Sequence, residues 1–300
     1  MKIKSVNAAP SLCAVIFLLL LGSGLIDPTS IGGTNPYLSV IILELLIFAL
    51  PALFFCRLRG SGYSRAIRFR FFEPGSIPFI LIASIALLLS TCTLKLWLYT
   101  IFRHTPEASI TIYHAYTPQN GYGDSVIFAT LAFALFPAIT EELVFRGIML
   151  AEYEDCGSPA AIIYSSLLFT MLHFDLTLFP VYFISGAILA LTAYACRSVL
   201  ASVVVHTVNN IFTLFFEDYI WNSILQPRNI VIFTFIVTAL TILSVSLLFG
   251  EAGRLYRNYG VYGADSSYVR DKSSKIPAVY AVMTIPFAVC LLLYILAVLL

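Results

Sequence analysis

The sequence predicts an all-α fold, a polytopic transmembrane helical bundle of about eight or nine spans. Three observations predict it. Of 300 residues, 60% are hydrophobic and only 11% are charged. The mean hydropathy is +0.93. Uncharged runs near the ~20 residues that cross a bilayer recur along the whole chain. A soluble globular domain has no use for that much apolar surface, and a net charge of +1 marks no nucleic-acid partner. The lipid bilayer is the expected surrounding.

Nine apolar segments follow in order, at 10–26, 37–56, 76–102, 124–150, 159–175, 178–196, 199–216, 230–249 and 277–299. The first, LCAVIFLLLLGSGL, follows MKIK as a signal peptide would. No A-x-A-like cleavage site comes after it, so it is expected to remain as an anchor; its loss would leave eight spans. The second carries Glu44 and the third Lys95, two charges that could pair across the bilayer. The fourth, fifth and seventh hold the other intramembrane polar groups. Breakers separate the segments: DPTSIGGTNP at 27–36, RLRGSGYSRAIRFRFFEPG at 57–75, GSP at 157–159 and EDYIWNSILQPR at 217–228. The 57–75 stretch alternates arginines with aromatics and reads as a juxtamembrane piece resting on anionic lipid. The polar 251–276 stretch reads as a flexible loop. Cys13, Cys56, Cys92, Cys156, Cys196 and Cys290 are scattered with no CxxC pair, as small buried hydrophobes are.

Orientation follows the basic residues. Lys2, Lys4, Arg57, Arg59, Arg65, Arg68, Arg70, Arg197, Arg254, Arg257, Arg270, Lys272 and Lys275 fall on one side, against Arg103 and Arg228 on the other. The bias puts the amino terminus in the cytoplasm, in the cell membrane, and the carboxyl terminus outside. The chain divides into N-terminal spans with a basic cytoplasmic loop (1–123), a catalytic helical core (124–217), and C-terminal spans with the polar loop (218–300).

The core is set apart by its ionisable groups, which are costly in a spanning helix and mark working sites. FPAITEELVFRGIML, residues 136–150, places Glu141, Glu142 and Arg146 in an oily run. Glu142 and Arg146 are four apart and share a helical face, so they can pair. Glu141 lies about 100° around the helix and is left for general-base work. A buried ion network that only locks helices together is the alternative. FTMLHFD puts Phe169 and His173 four apart on one face, and VVVHTVNNIF puts His206, Asn209 and Asn210 on another. Each alone reads better as a structural group that hydrogen-bonds within the helix packing than as a catalytic one. Together they supply parts for hydrolysis, with carboxylate and imidazole to activate water, and imidazole and amide N–H groups for an oxyanion. Neither HExxH nor G-x-S-x-G occurs.

EELVFR reads as EExxxR, FTMLH as FxxxH and HTVNN as HxxxN, in order along three spans. This pattern resembles the CAAX-processing and bacteriocin-processing family of intramembrane proteases, which includes type II CAAX prenyl endopeptidases and lysostaphin-resistance-protein-like members. The resemblance covers roughly 124–217. It implies an intramembrane endopeptidase acting on membrane-associated substrates, prenylated or precursor peptides among them. On the matching positions it implies Glu141 and His173 acting on the attacking water, and His206 and Asn210 stabilising the oxyanion. Glu142 and Arg146 take the remaining places of the first motif. Two glutamates and two histidines also suffice as zinc ligands, at Glu141, His173 and His206 above all. Members that work through glutamate-activated water lead to the expectation of no obligatory metal or other cofactor.

One length does not fit. Counted from the segment ends by helical rise, Glu141 and His206 lie ~13 and ~10 Å from the cytoplasmic side, but His173 lies ~20 Å from it. Two rival functions remain: a transporter coupled through Glu44 and Lys95, and a non-catalytic immunity or scaffold protein of the same fold. No inverted repeat supports transport.

Overall fold

The computed structural model describes residues 5–26, 35–60, 62–102, 125–224, 227–261 and 277–299. Among them are eleven helices and no strand. Helix α1 is Ser5–Ser23, α2 runs 36–59, α3 is the short Ser64–Ile67, and α4 is Ile77–Phe102. Helix α5 runs 126–153, α6 is Ser158–Met171, α7 is Phe179–Ala195 and α8 is Val199–Phe215. Helices α9 (Glu217–Ile224), α10 (Pro227–Val261) and α11 (Ile285–Leu299) complete the chain. Five helices are long and apolar enough to cross a membrane, and α6, α7, α8 and α11 are shorter apolar ones. All nine apolar segments thus become helices, and the chain is an integral membrane protein.

The surface follows lipid logic. Leu53, Phe54, Leu81, Ile85, Phe235 and Ile242 point outward, whereas Glu44, Glu141, Glu142, Arg146 and His206 are buried. Only 11% of the apolar window of α10 is buried in the protein, so most of it is left for lipid. At the centre α5, α6, α7 and α8 pack together, with α4 against α7 and α8, and α10 outside α4; α1 pairs with α11. Phe17, Phe48, Phe79, Phe145 and Met149 fill the core.

Four expectations change. Helix α10 continues through EAGRLYRNYG to Val261, because Glu251 and Arg254 pair on it and Arg254 also donates to Gly75 O at 2.9 Å. The remainder of the expected loop, 262–276, lies outside the described residues, as do Lys2, Lys4, most of 27–36, Arg103, Arg270, Lys272 and Lys275. EDYIWNSI forms α9 rather than a breaker, anchored by Trp221 against Leu96 and Val237. The 57–75 stretch is not merely a lipid-facing strip. Arg59 pairs with Glu152 and Arg68 with Glu154, and Arg70 Nε donates to Arg197 O at 3.0 Å. Phe71, 86% exposed, is left to face outward. Lys95 pairs with Glu217 of α9, while Glu44 accepts the Thr140 hydroxyl at 2.7 Å. The Glu44–Lys95 bridge anticipated from sequence is replaced by these two contacts.

Candidate active site

Two helices carry the acidic residues, and both change winding beside them. Helix α2 switches to a π-turn at Leu45–Ala49, just after Glu44. Helix α5 has π-turns at Leu131–Leu135 and Leu143–Met149, on either side of Glu141 and Glu142. Such turns collect at functional sites, because one extra residue per turn re-aims side chains and loosens the backbone ladder. Pro137, which has no N–H to donate, lies between the two turns of α5.

Glu142 and Arg146 are both fully buried and meet at 2.7 Å, as their spacing predicts, although the helix between them is wound as π. Arg146 also donates to Gly186 O at 3.1 Å and lies 4.3 Å above the Phe169 ring. Gly186 makes this possible. A Cβ there would meet Ser166 Cβ at 3.0 Å, so only glycine lets α7 approach α6 this closely. The signal in the sequence was the small-xxx-small spacing of Gly186 and Ala190.

Glu142 does a second thing the sequence did not disclose. Its Oε1 also accepts from His206 Nδ1 at 2.9 Å, so one carboxylate holds both the arginine and the histidine. The other ring nitrogen, Nε2, lies 3.9 Å from Glu141 Oε2. That oxygen has no hydrogen-bond partner among the described residues. One turn further along α8, Asn210 Nδ2 donates to Ala134 O, in the first π-turn of α5, at 3.4 Å.

His173 is not on a helix face, as its spacing suggested. Helix α6 ends at Met171, and His173 occupies the turn beyond it, followed by Phe174 with φ of 49°. That left-handed conformation is unusual for a bulky residue, and strain of this kind collects at functional sites. The ring is nevertheless fixed. Phe169 O accepts from Nδ1 at 3.0 Å, which leaves the lone pair on Nε2. Tyr182 of α7 stacks on one face at 3.7 Å, and the edge of Phe169 packs 5.0 Å away. Phe169 also meets His206 edge-on at 5.9 Å, so one phenylalanine separates and orients both imidazoles. Tyr182 gave no sequence signal, since it lies on a different helix in an ordinary apolar run.

The length mismatch resolves in the hairpin between α5 and α6. Helix α5 runs on past residue 150, and the chain reverses at Gly157, whose φ is 94°. Glu141 lies sixteen residues before that glycine and His173 sixteen after it, which puts them at matching depth.

Glu141, His173, His206, Asn209 and Asn210 line one cavity of about 600 Å³. Polar groups from α5, α8 and the α6–α7 turn therefore converge on a single chamber inside a lipid-facing bundle. Among the described residues, no three His, Cys, Asp or Glu side chains gather closely enough to hold a metal ion. The arrangement offers proton acceptors, Glu141 and His173 Nε2, in one chamber with the Asn210 amide, which can donate, and with His206 Nε2, which can donate only as the imidazolium because Nδ1 already gives its proton to Glu142.

A helical membrane bundle enclosing carboxylates, imidazoles and an amide in one chamber belongs to the class of candidate intramembrane hydrolases. Residues 123–212, less than a third of the chain, match the family model described as Type II CAAX prenyl endopeptidase Rce1-like. The match bears out the family resemblance drawn from the three motifs, and it supports a CAAX-type intramembrane protease at the level of the family. No curated protein and no solved structure matches the chain.

Proposed function

We propose that this protein is an intramembrane endopeptidase that hydrolyses a peptide bond of a membrane-associated substrate in the cavity, reached from the cytoplasm. The carrying observation is that Glu141, His173, His206 and Asn210 face one 600 Å³ chamber. Glu141, assisted by His173 Nε2, takes one proton of a water as its oxygen bonds to the scissile carbonyl carbon, and gives that proton to the departing amine when the tetrahedral intermediate collapses and the C–N bond breaks. The carbonyl oxygen becomes an oxyanion that Asn210 Nδ2 and, as the imidazolium, His206 Nε2 receive. In that state His206 donates from its other nitrogen to Glu142, which keeps the ring in place. Arg146 neutralises Glu142 and is itself held by Gly186 O and the Phe169 face, so these two residues position rather than react.

The family description favours prenylated carboxyl-terminal peptides as substrates, and the apolar lining from Val40, Leu87, Phe133, Leu176, Val181 and Leu189 suits a hydrophobic chain beside the scissile bond. The experiment that tests the function compares membrane-protein termini in cells carrying wild type or Glu141→Ala. New termini present with wild type and missing with the variant support it. Identical termini in the two, at equal protein levels, refute it.

A further inference from the structure

The chamber holds one charge that the catalytic groups do not use. Glu44, Glu141 and Asp175 are acids along its wall, and Lys95 of α4 is the only lysine or arginine among the described residues that line it. Lys95 is 7% exposed and comes from outside the segment that matches the family model. A lysine within a spanning helix is costly and faces either a partner or a working space. Here it does both.

The partner takes only part of it. Lys95 Nζ pairs with Glu217 Oε1 of α9, and that one oxygen also accepts from Trp221 Nε1 at 3.2 Å. Among the described residues Glu217 is the one acceptor of Lys95. An ammonium has three protons to give, so two are left for a ligand in the chamber. An anion seated on the far side of Nζ from Glu217 lies about twice as far from that carboxylate as from the ammonium. The net attraction is then about half that of a lone cation, and the low dielectric of the bundle enlarges it.

The pair also lies at a set distance from the catalytic groups. Helix α8 climbs from Val199 through His206 and Asn210 to Thr213, and Thr213 meets Thr91 and Glu217 around a small second pocket. Thr91 stands one turn before Lys95 on α4. From His206 to Thr213 the rise is ~10 Å, the reach of about three extended residues. On the proposed entry from the cytoplasm, the basic side at Arg197, a chain that enters carboxyl end first passes the catalytic groups and then meets Lys95.

We propose that Lys95 is a specificity-determining residue that receives the terminal carboxylate of the substrate, a few residues past the scissile bond. The inference rests on the hydrolase reading of the cavity and adds to it a preference for a free carboxyl end. Glu217 holds the ammonium in place, itself held by Trp221, and an amidated end, which carries no charge, gains no such pairing.

The test uses the full-length protein in liposomes. Two prenylated peptides of one sequence end in a free carboxylate or a carboxamide, and a third, also a carboxamide, has glutamate as its last residue. The expected kcat/KM of wild type is about tenfold or more higher on the free acid than on either carboxamide. Lys95→Gln should bring the ratio of acid to carboxamide to about one, with the loss falling on the acid. All rates come from one preparation, so their ratio does not depend on the folded fraction. Should Lys95→Gln fail to yield protein, the double variant with Glu217→Gln, which leaves neither member of the pair charged, is read by the same ratio. A wild-type ratio near one, or a preference that survives Lys95→Gln, overturns the assignment. So does fast cleavage of the glutamate-ended carboxamide, which would give Lys95 an acidic side chain instead of a chain terminus. Failure of wild type to cut any of the three defeats the hydrolase reading and this inference with it, whereas equal cutting of all three defeats this inference alone.

Discussion

Phe169 is the residue on which the candidate site is built. Its ring carries the Arg146 guanidinium on its face and has His173, His206 and Phe145 around it. Replacing it with alanine should cost about 3–5 kcal/mol of stability, from the cavity and the lost contacts together. Phe169→Leu should retain much of the fold and still lower kcat at least tenfold, since it leaves both imidazoles without their edge contact. Melting in detergent and cleavage rate, read on both variants, check this. Arg146→Met should be harsher than a surface change. It strands Glu142 fully buried without its cation, held only by the His206 hydrogen bond, at about 3–5 kcal/mol. A variant that melts as wild type does would contradict the buried ion pair.

At the scale of elements, the close approach of α6 and α7 decides the geometry. Gly186→Ala places a methyl 3.3 Å from Phe169 Cδ1 and 3.0 Å from Ser166 Cβ. Relief requires the helices to part or Phe169 to turn, and overpacking of this kind costs about 1–3 kcal/mol. Activity should fall with stability, in contrast to Gly250→Ala, where no neighbour lies within 4 Å. Here the sequence was only partly legible. Spacings of four gave the Glu142–Arg146 pair and put His206 beside Asn210, because both pairs lie within one helix. Glu142 holding His206, Tyr182 stacking on His173 and Glu44 entering the chamber are contacts between helices, and a single-helix period carries no information about them. His173 was misplaced for a related reason. FTMLHFD is apolar enough to continue a helix, and only packing shows that α6 stops at Met171 with a left-handed Phe174 beyond.

At the scale of the whole molecule, hydropathy was enough for the fold, since every backbone group in lipid must be satisfied within a helix. It failed where polarity and helicity part company. The EAGRLYRNYG end of α10 and the whole of α9 are polar yet helical. The transporter alternative loses the pairing that suggested it, since Lys95 is engaged with Glu217 and Glu44 with Thr140. Proton- or sodium-driven uptake by reconstituted protein, indifferent to Glu141, would restore it. On the proposed water-activating mechanism, chelator treatment should leave cleavage unchanged. Loss of activity with EDTA, and its return with zinc, would instead assign Glu141 and the histidines to a metal.

The central claim is that the buried chamber hydrolyses peptide bonds through Glu141. Its most direct measurement is cleavage of a prenylated, membrane-anchored peptide by the purified protein in liposomes, with wild type and Glu141→Gln side by side at matched melting temperature. The account predicts a single cut by wild type and at least a hundredfold slower cutting by the variant. Equal rates from the two would contradict it.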